Sequence, residues 1–136
     1  MRILIVDDDP IAARLLAKYL NRVGESDIAP NGREAVRLFK RSFTENYPFD
    51  LICLDILMPK MNGHDTLREI REIEHHESVR IGEGVKVIMV SAMHDDNTIL
   101  QAFMELCDGF VAKPVDRKAL FAKLEEIELL SDYSKA

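Results

Sequence analysis

Three carboxylates and one lysine stand where this chain could do chemistry. Asp55 closes an apolar run, Phe49-Asp50-Leu51-Ile52-Cys53-Leu54-Asp55, and the chain breaks at once into Ile56-Leu57-Met58-Pro59. Ile3-Leu4-Ile5-Val6 ends in Asp7-Asp8-Asp9, and Phe110-Val111-Ala112 ends in Lys113-Pro114. A side chain at the carboxyl end of a buried strand is where open α/β sheets place their working groups. Asp7, Asp8 and Asp55, brought together, would repel one another and destabilise the fold unless a cation neutralised them. Oxygen-only donors with no histidine or cysteine beside them select a hard cation, Mg²⁺ or Mn²⁺ in its place. Lys113 adds a compact positive charge, and Ser91, after the run Val85–Val90, adds a hydroxyl. Phosphoryl transfer requires mainly positioning and charge neutralisation, and a carboxylate can act as its covalent nucleophile.

The elements that must position these groups alternate along the chain. Ile3 to Val6 reads as a first strand. Asp9 as N-cap and Pro10 at the first helical position open a helix with Ile11, Leu15, Leu16, Tyr19 and Leu20 on its apolar face, closed by Gly24. Asp27-Ile28-Ala29 is a short second strand. Asn31-Gly32 starts a second helix with Ala35, Val36, Leu38 and Phe39 inward. Leu51 to Leu54, apolar throughout, is a third strand buried on both faces. Asn62-Gly63 is a turn, followed by a helix with Leu67, Ile70 and Ile73 at helical spacing. Glu74 to Gly84 reads as a polar loop, Val85 to Val90 as a fourth strand and Asp95 to Leu106 as a helix. Gly109 to Ala112 is a fifth strand. Asp116 caps a final helix carrying Ala119, Leu120, Leu124, Ile127 and Leu130. Five strands alternating with five helices predict an α/β domain: a doubly wound parallel sheet of order 2-1-3-4-5, covered on both faces. The domain is expected over residues 1–130, with 131–136 as a frayed tail.

Composition narrows the function classes. The 136 residues are 47% hydrophobic, the size and content of one domain with a sizeable core. The net charge is -6, with Lys and Arg dispersed, so direct nucleic-acid binding is not expected. No apolar run reaches membrane-spanning length. Met1-Arg2 runs straight into the first strand with no cleavage site before the acidic cluster, so a secretory leader is not expected and a cytoplasmic setting is. Cys53 and Cys107 lack metal-ligand spacing and read as free thiols, Cys53 as inert core.

The motifs Ile5-Val6-Asp7-Asp8-Asp9, Asp55-Ile56-Leu57-Met58-Pro59 with Met61-Asn62-Gly63, Val90-Ser91-Ala92 and Phe110-Val111-Ala112-Lys113-Pro114 occur in this order across nearly the whole chain. In this the chain resembles the receiver domain of bacterial two-component response regulators, the CheY-like family with its flavodoxin-like topology. The resemblance implies Asp55 as phosphoacceptor, Asp8 as a direct Mg²⁺ ligand, Asp7 assisting through water, and the Leu57 carbonyl as a further ligand. It implies that Lys113 binds a phosphoryl oxygen, that Ser91 swings toward the phosphoryl group and that Phe110 turns inward behind it. The output face would be the Asp95–Leu106 helix, the fifth strand and the final helix. Leu57 and Met93 take the positions that tune hydrolysis in the family. Both are large and apolar, and the expectation is a hindered attacking water and a long-lived phosphorylated state. Pro114 is expected to follow a cis bond.

The implied activity is Mg²⁺-dependent self-phosphorylation from a phosphohistidine donor with slow autodephosphorylation, the work of a signalling switch. The implied partners are a sensor histidine kinase or a histidine phosphotransfer protein, and a downstream protein target or relay, with homodimerisation on phosphorylation as a family habit. A single-domain regulator with no output domain of its own is expected. A pseudo-receiver, a binding module that takes no phosphate, is the alternative, but it would call for a lost acidic or lysine position and all are present. A flavodoxin-like cofactor binder would need a phosphate-cradling loop where Asp7-Asp8-Asp9 stands. The segment from Ile73 to Gly84 is longer than the family's usual connection. Its His75-His76 could be a metal pair, but adjacent residues do not share a helical face, and a solvated helix extension is the plainer reading. The methionines at 58, 61, 89, 93 and 104 read as packing, and Asp95-Asp96 as helix capping.

Overall fold

The computed structural model describes residues 1–56, 62–80, 82–91 and 107–129. Its elements are β1 (Arg2–Val6), α1 (Pro10–Leu20), β2 (Glu25–Ala29), α2 (Gly32–Thr44), β3 (Leu51–Asp55), α3 (Gly63–His76), β4 (Lys86–Ser91), β5 (Gly109–Ala112) and α4 (Arg117–Glu126). The strands form one parallel sheet in the order β2-β1-β3-β4-β5. That is the order read from the alternating pattern. The helix read over Asp95–Leu106 lies outside the described residues, as do Leu130 and the tail.

Period-two alternation divides the strand residues between two cores. Leu4, Val6, Ile52, Leu54, Val87 and Met89 pack with Ala35, Phe39, Leu67 and Ile70 under α2 and α3. Ile3, Ile5, Leu51, Cys53, Ile88 and Val90 pack with Leu16, Leu20, Leu120 and Leu124 under α1 and α4. β3 is buried at every position, which is why its sequence is a continuous apolar run rather than an alternating one.

Each described helix starts on a side-chain cap. Asp9 accepts from the Ile11 N–H, Asn31 from Glu34, Asn62 from Asp65 and Asp116 from Ala119. Asn62 is therefore the cap of α3 and Gly63 its first residue, not a free-standing turn. Gly63 stands there because a Cβ would meet the Asp55 carbonyl oxygen and Ile56 Cα at 2.8 Å. Its N–H donates to the Ile56 carbonyl at 2.8 Å.

Besides Asn62-Gly63, four elements depart from the sequence expectation. α1 ends at Leu20, and Gly24 marks the place where the backbone of Met1 crosses. Its buried stripe is Ala13, Leu16 and Leu20; Ile11 and Leu15 lie on the opposite side of the helix and are 76% and 41% exposed. β2 begins at Glu25, two residues before the expected start. In α4, Phe121 rather than Ala119 joins Leu120 and Leu124 in the core, because Ala119 lies in the exposed first turn bonded to the cap.

The fourth correction is the largest. The polar stretch expected to loop from Glu74 stays helical to His76, and Glu74 is buried, 6% exposed. Its carboxylate accepts from Arg71 Nη1 at 2.6 Å and from the Val85 N–H at 2.6 Å. Arg71 also donates to the Val85 carbonyl at 2.9 Å and reaches Asp108 at 3.4 Å. Asp108 in turn accepts the Val87 N–H at 2.8 Å. A Cβ on Gly84 would collide with the Glu74 carboxylate, so a glycine is needed where the chain passes over it. Buried ions persist only when paired and hydrogen-bonded in this way. Glu74→Ala removes one partner of Arg71 and the acceptor of the buried Val85 N–H, and urea unfolding is expected to show a loss of about 2–4 kcal/mol. Glu72→Ala, on the exposed side of the same helix, should leave the midpoint unchanged; equal effects would remove Glu74 from this role.

Candidate functional site

The three charged strand ends meet at one edge of the sheet. Asp7 follows β1, Asp55 ends β3, and β1 and β3 are neighbours. Lys113 follows β5, two strands from β3, and its long side chain spans the gap. Lys113 Nζ donates to Asp7 Oδ2 at 2.9 Å and to Asp55 Oδ2 at 3.3 Å. Asp7 and Asp55 are buried and Asp8 is exposed, yet one oxygen from each lies within 4.8 Å of the others.

Asp7 has two tasks. Its Oδ1 accepts the Asp9 N–H at 2.9 Å, which shapes the turn into α1, while its Oδ2 holds Lys113. Asp9 then caps α1. The acidic run thus divides into a buried anchor, an exposed carboxylate and a helix cap. Burial works to lower the Lys113 pKa, but the Asp7 hydrogen bond and the charges of Asp55 and Asp7 outweigh it, and the ammonium is held above its ordinary range. The donor set fits a hard divalent cation: three carboxylates, no softer ligand, and one lysine facing more than one negative charge. Asp8, the exposed member, is the carboxylate best placed to give an oxygen to such an ion, since Asp7 is already engaged.

Ser91 is buried at the end of β4, its carbonyl accepting the Lys113 N–H at 2.9 Å. Met89 pairs with Phe110 and Ser91 with Ala112 in the parallel register. Strand alternation therefore puts Ser91 and Phe110 on the same face of the sheet. Phe110 packs, partly buried, against the core under α2 and α3. The Lys113–Pro114 bond is cis.

Leu57 and Met93 lie outside the described residues, as do Asp95-Asp96 and the methionines at 58, 61 and 104; Met89 is buried core. His75 and His76 are exposed with ring centroids 6.3 Å apart, and the only three-ligand cluster among the described residues is the acidic one. Two features escaped the sequence reading. One is the Glu74–Arg71–Asp108 network. The other is the outward face of α1, where Ile11 and Leu15 rise beside the acidic cluster; a helical wheel phased on Ala13, Leu16 and Leu20 would have found it.

The fold and site together define a doubly wound α/β domain with an acidic cluster and a lysine at its switch point. The family model for the response regulator receiver domain matches residues 3–125, and the chain belongs to that family. It is thus a receiver domain of two-component systems. It is 31% identical to the chemotaxis protein CheY of Thermotoga maritima, over 93% of this chain and 96% of that one. It is also 31% identical to the regulatory protein VanRB of Enterococcus faecalis, again over 93% of this chain, but spans only about half, 52%, of that relative's length. The receiver domain of the Arabidopsis thaliana histidine kinase CKI1, solved with Mg²⁺ and BeF₃⁻, superposes with a TM-score of 0.80 at 29% identity, covering 95% of this chain and 90% of that one. The receiver domain of Saccharomyces cerevisiae Ssk1, in a co-crystal with the histidine phosphotransfer protein Ypd1, gives 0.78 at 26% identity, covering 98% and 94%. Among the described residues no helix is long and apolar enough to cross a membrane.

The two cysteines lie on opposite faces of the sheet, Cys53 in the α1/α4 core and Cys107 against the α2/α3 core, and both are free. Burial pushes the Cys53 thiol up to about 12, and burial together with Asp108 pushes Cys107 up to about 11. Neither is a reactive thiolate. At neutral pH, Ellman's reagent is expected to modify Cys107 slowly and Cys53 only after denaturation; rapid modification of either would contradict this burial.

Proposed function

We propose that this chain is a phosphorylation-driven switch whose acceptor is Asp55. The observation that carries the reading is Lys113, held between the Asp7 and Asp55 carboxylates beside an exposed Asp8. In the transfer step an Asp55 carboxylate oxygen attacks the phosphorus of a phosphohistidine. The O–P bond forms, the P–N bond breaks, and the bonding pair returns to the imidazole nitrogen of the donor. Lys113 moves its hydrogen bond from Asp55 to a phosphoryl oxygen and keeps the one to Asp7, so its charge follows the charge being transferred. Asp7, Asp8 and Asp55, with the Leu57 carbonyl, are the groups that would hold Mg²⁺, which when bound supplies neutralisation of the carboxylates and phosphoryl oxygens.

The output reading follows from the register. The Ser91 hydroxyl turns toward the new phosphoryl oxygens, and Phe110, on the same sheet face, fills the space it leaves. Two packings of one face, biased by phosphate, make a switch. The repacked face signals to a downstream protein or relay. Phosphorylation-dependent homodimerisation belongs to the same reading, as do a cytoplasmic setting, a domain over 1–130 and the absence of direct nucleic-acid or membrane binding.

The donor is a sensor histidine kinase or a histidine phosphotransfer protein. The Ypd1–Ssk1 pair supports that class of donor. So does α1, which begins directly after the acidic run and presents Ile11 and Leu15 one helical turn apart, flanked by exposed Arg14 and Lys18. A large apolar residue 76% exposed beside a reaction site suits a docking partner.

The test is exposure of the protein to acetyl phosphate with and without Mg²⁺, followed by intact mass. A Mg²⁺-dependent phospho adduct on the wild type, absent from Asp55→Asn, is expected. No adduct from acetyl phosphate or from a phosphorylated histidine donor would leave the pseudo-receiver reading in its place. The adduct's lifetime tests the roles of Leu57 and Met93: both Leu57→Asn and Met93→Glu are expected to speed its decay, and unchanged or slower decay in both would refute the hindered-water reading.

A further inference from the structure

A second site lies at the other end of the sheet. β4 runs from Lys86 to Ser91, so its two ends are roughly 16 Å apart at about 3.3 Å per residue. At the Lys86 end, between α3, the connection that follows it and Asp108, there is a cavity of about 550 Å³. That volume is in the range of small-molecule sites. Its walls include Val79, Val85, Cys107 and two glycines, Gly82 and Gly84, which bring backbone rather than side chains to the surface.

The charges around the cavity are uneven in a chain whose net charge is -6. Arg68, Arg71, Arg80 and Lys86 face it with Glu72, Glu74 and Asp108, and His75 and His76 stand at its rim. Two of the three carboxylates are already neutralised. Glu74 is paired with Arg71 at 2.6 Å, and Asp108 with Arg71 at 3.4 Å and Lys86 at 3.8 Å. The Arg80 guanidinium is exposed and makes no ion pair or hydrogen bond among the described residues. A cavity with largely apolar walls and an unengaged guanidinium in its lining has the chemistry of a pocket for an apolar body carrying one negative charge.

We propose that this cavity is a ligand site, separate from the phosphoacceptor site, for a small aromatic monoanion, with Arg80 binding the anionic group and Val79 and Val85 contacting the ring. Gly82 borders open space, and the Glu74–Arg71–Asp108 network ties α3 to the starts of β4 and β5 beside the cavity. The longer connection after α3 then has a role that a solvated extension would not give it, since it supplies Val79, Arg80 and both glycines.

The probe is 2-naphthoate, followed by amide-resolved NMR, beside the neutral isostere 2-naphthamide. Saturable shifts are expected at the amides of Arg71, His75, Gly84, Val85 and Asp108. Binding of the naphthamide should be about tenfold weaker, the worth of one charge-assisted contact. Arg80→Ala, an exposed substitution, should bring naphthoate down to the affinity of the amide and leave the amide unaffected. Shifts centred on Ile11 and Leu15, no saturable shift at the five amides, equal affinity for the two probes, or an unchanged naphthoate affinity in Arg80→Ala would each overturn the proposal.

Discussion

Like-charge repulsion at the carboxyl end of the sheet is the constraint on which the rest of this structure depends. Asp7 and Asp55 are buried on adjacent strands, with Asp8 close by, and such an arrangement is costly unless positive charge reaches it. Lys113 reaches it from β5, across β4. The strand order is therefore more than a topology. Only a sheet with β1 beside β3 and the β5 end within a lysine's length can hold these charges together. On the proposed reading, the gathering of carboxylates around Lys113 is what draws a cation and then a phosphoryl group.

The supporting backbone is correspondingly exacting. Asp7 orients Asp9, Asp9 caps α1, and Asp8 between them is left pointing outward. On the next strand, Gly63 lets the first turn of α3 come against the backbone at Asp55 and Ile56. Both loops are set by short-range hydrogen bonds and by steric room, so the carboxylates are placed by backbone and not by long flexible side chains. Lys113 is the exception. Its four-carbon stem lets one charge move between partners without moving a strand.

This division explains what could be read from the sequence. Strand order, helix caps and the acidic cluster are written in local patterns: apolar runs, Asp9-Pro10, Asn31-Gly32, and charges at strand ends. Glu74 could not be read in the same way. Its burial depends on Arg71 one turn back, on Val85 beyond the loop and on the lack of a side chain at Gly84, and a polar stretch looks the same with or without those partners. The face of α1 failed for another reason. Ile11 and Leu15 have helical spacing, but the phase of the buried stripe is set by the sheet beneath, which buries Ala13, Leu16 and Leu20 instead. Periodicity identifies a helix; it does not say which of two apolar stripes faces inward.

The two ends of the sheet are built on opposite electrostatic principles. At the amino end, the charges at the strand starts are tied into networks. Arg2 lies over the Tyr47 and Phe49 rings and bonds Asp27 and Glu45, and Arg71 joins Glu74 to Asp108. These networks tie α2, α3 and the starts of β1, β4 and β5 into one base. At the carboxyl end the balance is left open. On the proposed reading, a sheet anchored at its base and loaded at its tips responds to added charge by rearranging at the tips, where Ser91 and Phe110 share a face, rather than by sliding its strands. Fixed register is then a condition of the proposed switch: if β4 and β5 could slip by one residue, Ser91 and Phe110 would turn to opposite faces, and a change at one could not be taken up by the other.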